Sequence, residues 1–175
     1  MPTAVAFFRN LNLGQGWAPR RPQLEAAFVD AGATGVRSVR SNGTVVFEHP
    51  APVRAAAAVR TALGALTGYD DVVVVRRARW LLDLVRRADT LDLSDGAPVE
   101  VAFFDARPPL PLALPWTSTD GRLRVLAGDH RHAVTSFHDE SGRGSSATVV
   151  LQEVTGVRVT SRGLDTVRRV ADLLT

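Results

Sequence analysis

The chain has 175 residues, 45% of them apolar, enough for one substantial core or two small abutting ones. Cysteine is absent and all 21 basic residues are arginine, which excludes disulfides, thiolate nucleophiles, Cys-ligated zinc, Schiff-base lysines and P-loop lysines. The net charge of +3 permits a phosphate-bearing partner without requiring one, because the pI near 10.8 reflects arginine as the only base.

Residues 4–9 are short, apolar and rich in Phe and Val, the pattern of a buried strand. A polar, glycine-bearing loop follows over 10–20. Pro22 suits the first turn of a helix, and Leu24, Ala27, Phe28 and Ala31 recur at helical spacing until Gly32 stops it. Residues 35–40 alternate apolar and polar, Ser41-Asn42-Gly43 turns, and 44–48 continue as a strand, so this pair is expected to be a hairpin. An alanine-rich helix over 52–66 places Val59, Leu63 and Leu66 on one face and ends before Gly68. Residues 71–76 are β-branched throughout their interior and read as a buried strand.

The order β-α-β-β-α-β over the first 77 residues is the split βαβ pattern of ferredoxin-like domains. A second, smaller α+β half over 78–175 is expected to pack against it. That half begins with a helix over 78–88, with Leu81, Leu82 and Val85 inward, and a strand over 99–104. Four prolines in residues 107–115 make an extended connector. A hairpin of 122–126 with 133–137 is expected around a turn at 128–132. A short helix capped by Ser145 or Ser146 and running to about Val154, a brief strand over 157–160, and an amphipathic helix over 164–174 complete the chain. No apolar run approaches the ~20 residues of a membrane helix, and the N-terminus has no leader pattern, so a cytoplasmic protein without membrane association is expected.

Four stretches resemble a bacterial family known as the domain of unknown function 1697. Phe8-Arg9-Asn10-Leu11-Asn12-Leu13-Gly14-Gln15 is similar to the family's Leu-Arg-Gly-Ile-Asn-Val-Gly-Gly, with Asn10 at the first glycine. Ser41-Asn42-Gly43-Thr44-Val45-Val46-Phe47 is similar to Ser-Gly-Asn-Val-Val-Phe, with the glycine and asparagine exchanged. Gly142-Arg143-Gly144-Ser145-Ser146 and Thr160-Ser161-Arg162-Gly163-Leu164-Asp165-Thr166-Val167 resemble the family's closing turn and final motif. The resemblance implies the fold and carries no reaction with it.

The same stretches supply the candidate ligand-binding residues: Arg9, Asn10, Asn12, Gly14, Ser41, Asn42, Arg143, Ser145 and Arg162, with Ser146 and Thr160 beside them. Glycines and short side chains let backbone N–H groups approach an anion, and arginine forks match phosphate or carboxylate oxygens. The expected ligand is a small phosphorylated molecule held in a cleft formed by polar loops of the two halves. The competing reading of the same residues is structural, as turns, caps and solvated arginines. A nucleic-acid module is the alternative function. It rests on Arg76, Arg77, Arg79, Arg86 and Arg87 and on a sheet offering Phe7, Phe8 and Phe47. A non-catalytic interaction protein is a further one. His130, His132 and His138 invite a metal, but few further ligands are in reach, so neither metal nor cofactor is expected. The acidic pairs Asp70-Asp71 and Asp139-Glu140 read as solvated charge.

Overall fold

The computed structural model describes residues 1–93, 96–108, 113–138 and 147–175. Helices combine with two antiparallel sheets in an α+β fold. The chain divides into two units, Met1–Asp83 with Arg169–Thr175, and Leu84–Arg168.

The first unit contains a four-stranded sheet ordered β2-β3-β1-β4. Its strands are β1 (Thr3–Phe8), β2 (Thr34–Val39), β3 (Thr44–Glu48) and β4 (Val73–Arg77). Helix α1 (Arg21–Asp30) joins β1 to β2, and α2 (Pro52–Thr67) joins β3 to β4. Both helices start with proline in the first turn, where its missing N–H costs no hydrogen bond. At α1 the Arg20 N–H donates to Gln23 Oε1 at 2.7 Å, which fastens the helix start with Pro22 in its first turn, as the sequence indicates. At the start of α2 the Ala51 N–H donates to His49 Nδ1 at 2.9 Å. The helix stops at Gly68, whose φ of 76° is the left-handed conformation that glycine adopts without a Cβ clash.

Side chains alternate across a strand, and β1 buries both sets. Ala4, Ala6 and Phe8 join Val45 and Phe47 of β3 against Leu24 and Phe28 of α1 and Ala56, Val59 and Leu63 of α2. Phe28 sits at the centre, with ring centroids 6.1 Å from Phe8 and 4.7 Å from Phe47. Val5 and Phe7, on the opposite side of β1, are also fully buried. A strand covered on both faces carries a continuous apolar run, which is what made residues 4–9 legible.

The second unit holds a five-stranded sheet ordered β6-β7-β8-β5-β9. These are β5 (Val99–Phe104), β6 (Trp116–Thr117), β7 (Leu123–Asp129), β8 (His132–Phe137) and β9 (Val159–Gly163). Helix α4 (Ala147–Thr155) lays Ala147 and Leu151 against Ala102, Phe104, Leu123, Val125, Ala133 and Val159. Helix α3 (Ala78–Ala88) and helix α5 (Leu164–Asp172) each run across the boundary between the units in sequence.

Three details depart from the sequence reading. The second hairpin closes over only two residues, His130 and Arg131, because β7 continues to Asp129 and pairs it with His132. The short strand β6 pairs Trp116 with Val125 and Thr117 with Arg124, a contact the proline-rich sequence before it does not announce. Strand β9 pairs with β5 from Val159 opposite Phe104 to Gly163 opposite Glu100, so it starts and ends later than 157–160 and passes straight into α5. The cap expected at Ser145 or Ser146 lies outside the described residues.

Candidate functional site

At one end of the first sheet, the loop after β1 and the turn before β3 meet. Their backbones are joined twice: Phe8 N–H donates to Gly43 O at 2.9 Å, and Leu13 N–H donates to Ser41 O at 2.7 Å. The approach is close enough that a Cβ on Gly43 would lie 3.0 Å from the Cβ atoms of both Leu11 and Phe8. Asn10 has φ 54°, in the left-handed region that asparagine tolerates better than most residues, which fits its place where the resembling family has glycine. Gly14, with φ 78°, turns the loop back so that its N–H reaches Pro19 O at 3.0 Å. Asn42 Oδ1 accepts from Thr44 Oγ1 at 2.8 Å. Asn12 and Ser41 are exposed.

Asp71 organises this end of the sheet. Its Oδ2 accepts from Arg9 at 2.7 Å and from Asn10 Nδ2 at 2.8 Å, while its Oδ1 accepts from the Val72 N–H at 2.8 Å. Tyr69 Oη lies 2.7 Å from the Arg9 carbonyl and 2.9 Å from the Val72 carbonyl, bracing the same two segments. The ring of Trp17, 57% exposed, stacks on Tyr69 at 6.3 Å between centroids. The guanidinium of Arg9 is therefore already matched by a carboxylate, in a set of contacts that holds loop to strand. Sequence reasoning singled out Arg9 and Asn10 but read Asp71 as solvated. The partner is 62 positions away, and nothing local marks it.

Arg162 lies on β9 and is buried, with Nη1 donating to Thr160 Oγ1 at 2.9 Å and to the Ser161 carbonyl at 2.6 Å. It shares a strand face with Thr160, as expected for positions two apart. Arg143, Ser145 and Ser146 lie outside the described residues, as do Asp139 and Glu140.

A second location was not assembled by the sequence reading. The β7–β8 hairpin, the end of β5 and the residues Arg107, Pro108 and Leu114 line a partly open cavity of about 340 Å³ within the second unit. Its polar wall is Arg107, Asp129, His130 and His132, and its apolar wall includes Phe104, Pro108, Leu114 and Val125. Asp129 Oδ1 accepts from the Arg131 N–H at 2.7 Å and faces His132 Nδ1 at 2.9 Å, which closes the two-residue turn. Burial works to raise the Asp129 pKa, but the Arg131 N–H and the nearby His132 outweigh it and hold the carboxyl below its ordinary 3.8. Gly128 is required here by space: a Cβ would come within 2.6 Å of the His132 carbonyl oxygen. Arg107 is exposed and has no hydrogen bond or ion pair among the described residues. His130 and His132 had drawn attention only as metal ligands. Among the described residues, no three His, Asp or Glu side chains are grouped to hold a metal ion.

The surfaces on which nucleic-acid binding would depend are arranged differently from an open platform. Phe7, Phe8 and Phe47 are each 0% exposed. Trp80 carries the Arg76 guanidinium 5.4 Å from its ring centroid. Arg77, Arg79, Arg86 and Arg87 are exposed on β4 and α3. No helix among the described residues is long and apolar enough to cross a membrane.

A solved structure shares the fold. A conserved bacterial protein from Streptococcus pneumoniae superposes with a TM-score of 0.66, covering 99% of this chain and 99% of that one at 15% identity. At that identity the likeness speaks for the fold alone. No curated protein matches the sequence. Residues 1–119, which include both joined loops of the first sheet, match the model of the family described as "Protein of unknown function (DUF1697)", and the chain belongs to that family.

Proposed function

We propose that the chain binds a small anionic ligand, and that the cavity of the second unit is where it does so. The observation carrying this reading is Arg107: a permanent cation on the wall of a pocket open to solvent on one side, with no partner of its own among the described residues. Ligand cavities commonly run from about 300 to 1,000 Å³, so 340 Å³ suits a small molecule. Apolar walls with a few convergent polar groups are the usual composition of such sites. The ring nitrogens of His130 add a donor and an acceptor for orientation, while His132 Nδ1 is committed to Asp129. The first unit's loops serve the reading less well, since the Arg9 charge is met by Asp71 at 2.7 Å. Their part is to fix the backbone.

The test is thermal denaturation with inorganic phosphate, a sugar phosphate and an aryl carboxylate in turn, on the whole chain and on Arg107→Gln. A ligand present at about 100 times its dissociation constant stabilises by about 2.7 kcal/mol, well within detection. Saturable stabilisation of the parent chain that Arg107→Gln abolishes is the expected outcome. No shift with any member at millimolar concentration would remove the proposal.

A further inference from the structure

The charges and the apolar surface of the cavity narrow the ligand class. Counting histidine as neutral, the wall carries one cation, Arg107, and one anion, Asp129. Asp129 is held ionised by the turn it closes, through the Arg131 N–H at 2.7 Å and His132 at 2.9 Å. A ligand with one negative charge can pair with Arg107 through two parallel N–H···O bonds. A second negative charge would share the pocket with the ionised Asp129, and like charges held in one small site disfavour each other. Phosphate monoesters carry close to two charges at neutral pH, because their second pKa is about 6. The remaining wall of Phe104, Pro108, Leu114, Val125 and Ala133 offers no hydrogen-bonding side chain and matches an apolar body.

Resting on the anion-binding reading above, we infer that the cavity takes a monoanion with an apolar body, a small aryl or branched-alkyl carboxylate, and discriminates against phosphate monoesters of the same body. Arg107 holds the carboxylate, the apolar wall holds the body, and the ionised Asp129 rejects the extra charge.

Calorimetric titration of the whole chain at neutral pH with phenylacetate, phenyl phosphate and acetate separates the parts of this inference. Phenylacetate is expected to bind at least about tenfold more tightly than either of the others, a difference of about 1.4 kcal/mol. Arg107→Gln should weaken phenylacetate by about tenfold or more, in line with the loss of a charge-assisted pair, whereas Arg54→Gln, an exposed arginine on α2 of the other unit, should leave it unchanged. Asp129→Asn should narrow the gap between phenylacetate and phenyl phosphate, and circular dichroism checks that the variant keeps its fold. Phenyl phosphate binding as tightly as phenylacetate, or more so, overturns the monoanion inference while leaving anion binding intact. Acetate matching phenylacetate overturns the apolar body. Binding by none of the three, with inorganic phosphate and sugar phosphate also inert, overturns the underlying reading as well.

Discussion

Asp71 shows how one side chain can fix the meaning of several others. A carboxylate that accepts from a guanidinium, an amide and a backbone N–H at once is committed to structure. Replacing it by alanine removes three hydrogen bonds and leaves the part-buried Arg9 without that counter-charge. Asp71→Ala is expected to cost about 2–4 kcal/mol, read from urea denaturation midpoints at unchanged m-value. Asn at the same position keeps one acceptor oxygen, enough for Arg9 and Asn10 but with its NH2 then turned to the Val72 N–H, so it should recover only part of that loss. Gly43 is constrained by space and by φ together. At φ 67°, with Leu11 and Phe8 carbons 3.0 Å from the missing Cβ, Gly43→Ala must push the joined loops apart. The expected loss is about 1–3 kcal/mol, with early amide exchange at Leu13, whose N–H bonds to Ser41 O. Gly68→Ala shares the positive φ but meets nothing within 4 Å, so it should lose less.

At the scale of elements, strands buried on both faces and helices with paired stop signals were legible, because their causes are local. The apolar run of β1 and the Pro52-to-Gly68 frame of α2 both follow from neighbours in sequence. Strand β6 was not, since two residues derive their strand character wholly from pairing with β7. The two-residue β7–β8 turn was not either. It is closed by the Asp129 side chain rather than by the Asn-Gly or Gly-Gly pair that marks such hairpins in sequence. That device has a pH signature. The folded pKa of Asp129 lies below its ordinary 3.8, so the unfolded chain takes up the proton first as pH falls. Stability from this group is complete above about pH 5 and disappears as pH drops through about 4 towards the folded value. Asp129→Asn should therefore be less stable than the parent chain at pH 6 and approach it below pH 4, when denaturant midpoints are compared across the range. A difference that stays constant over that range would show that the carboxylate charge does not hold the turn.

For the whole molecule, the charge balance bears most directly on partners. Of the 21 arginines, Arg9, Arg122, Arg158 and Arg168 each lie within 4.0 Å of an aspartate, which reduces the field they project. The basic composition was visible in the sequence, but these long-range pairings, such as Arg168 with Asp89 at 2.7 Å, were not. The candidate site was legible to the same degree. The joined loops of the first sheet followed from their motifs, whereas the cavity around Arg107 required the hairpin, the end of β5 and the following segment to be seen together. With net charge +3 and Phe7, Phe8 and Phe47 wholly buried, single-stranded RNA finds neither a strong field nor stacking rings on the first sheet. What remains is the exposed set Arg77, Arg79, Arg86 and Arg87, able to contact a few phosphates. Binding through about four phosphates has a salt slope near −3 on logarithmic axes for single strands, so raising salt from about 50 to 200 mM should weaken it by roughly fifty-fold. Electrophoretic mobility measured with a short single-stranded RNA should accordingly show weak retention at low salt and none at about 150 mM. Neutralising Arg86 and Arg87 together should flatten the slope by about 1.4. A complex that survives high salt would require base stacking, and with the three phenylalanines inside the fold it would point to a surface other than the first sheet.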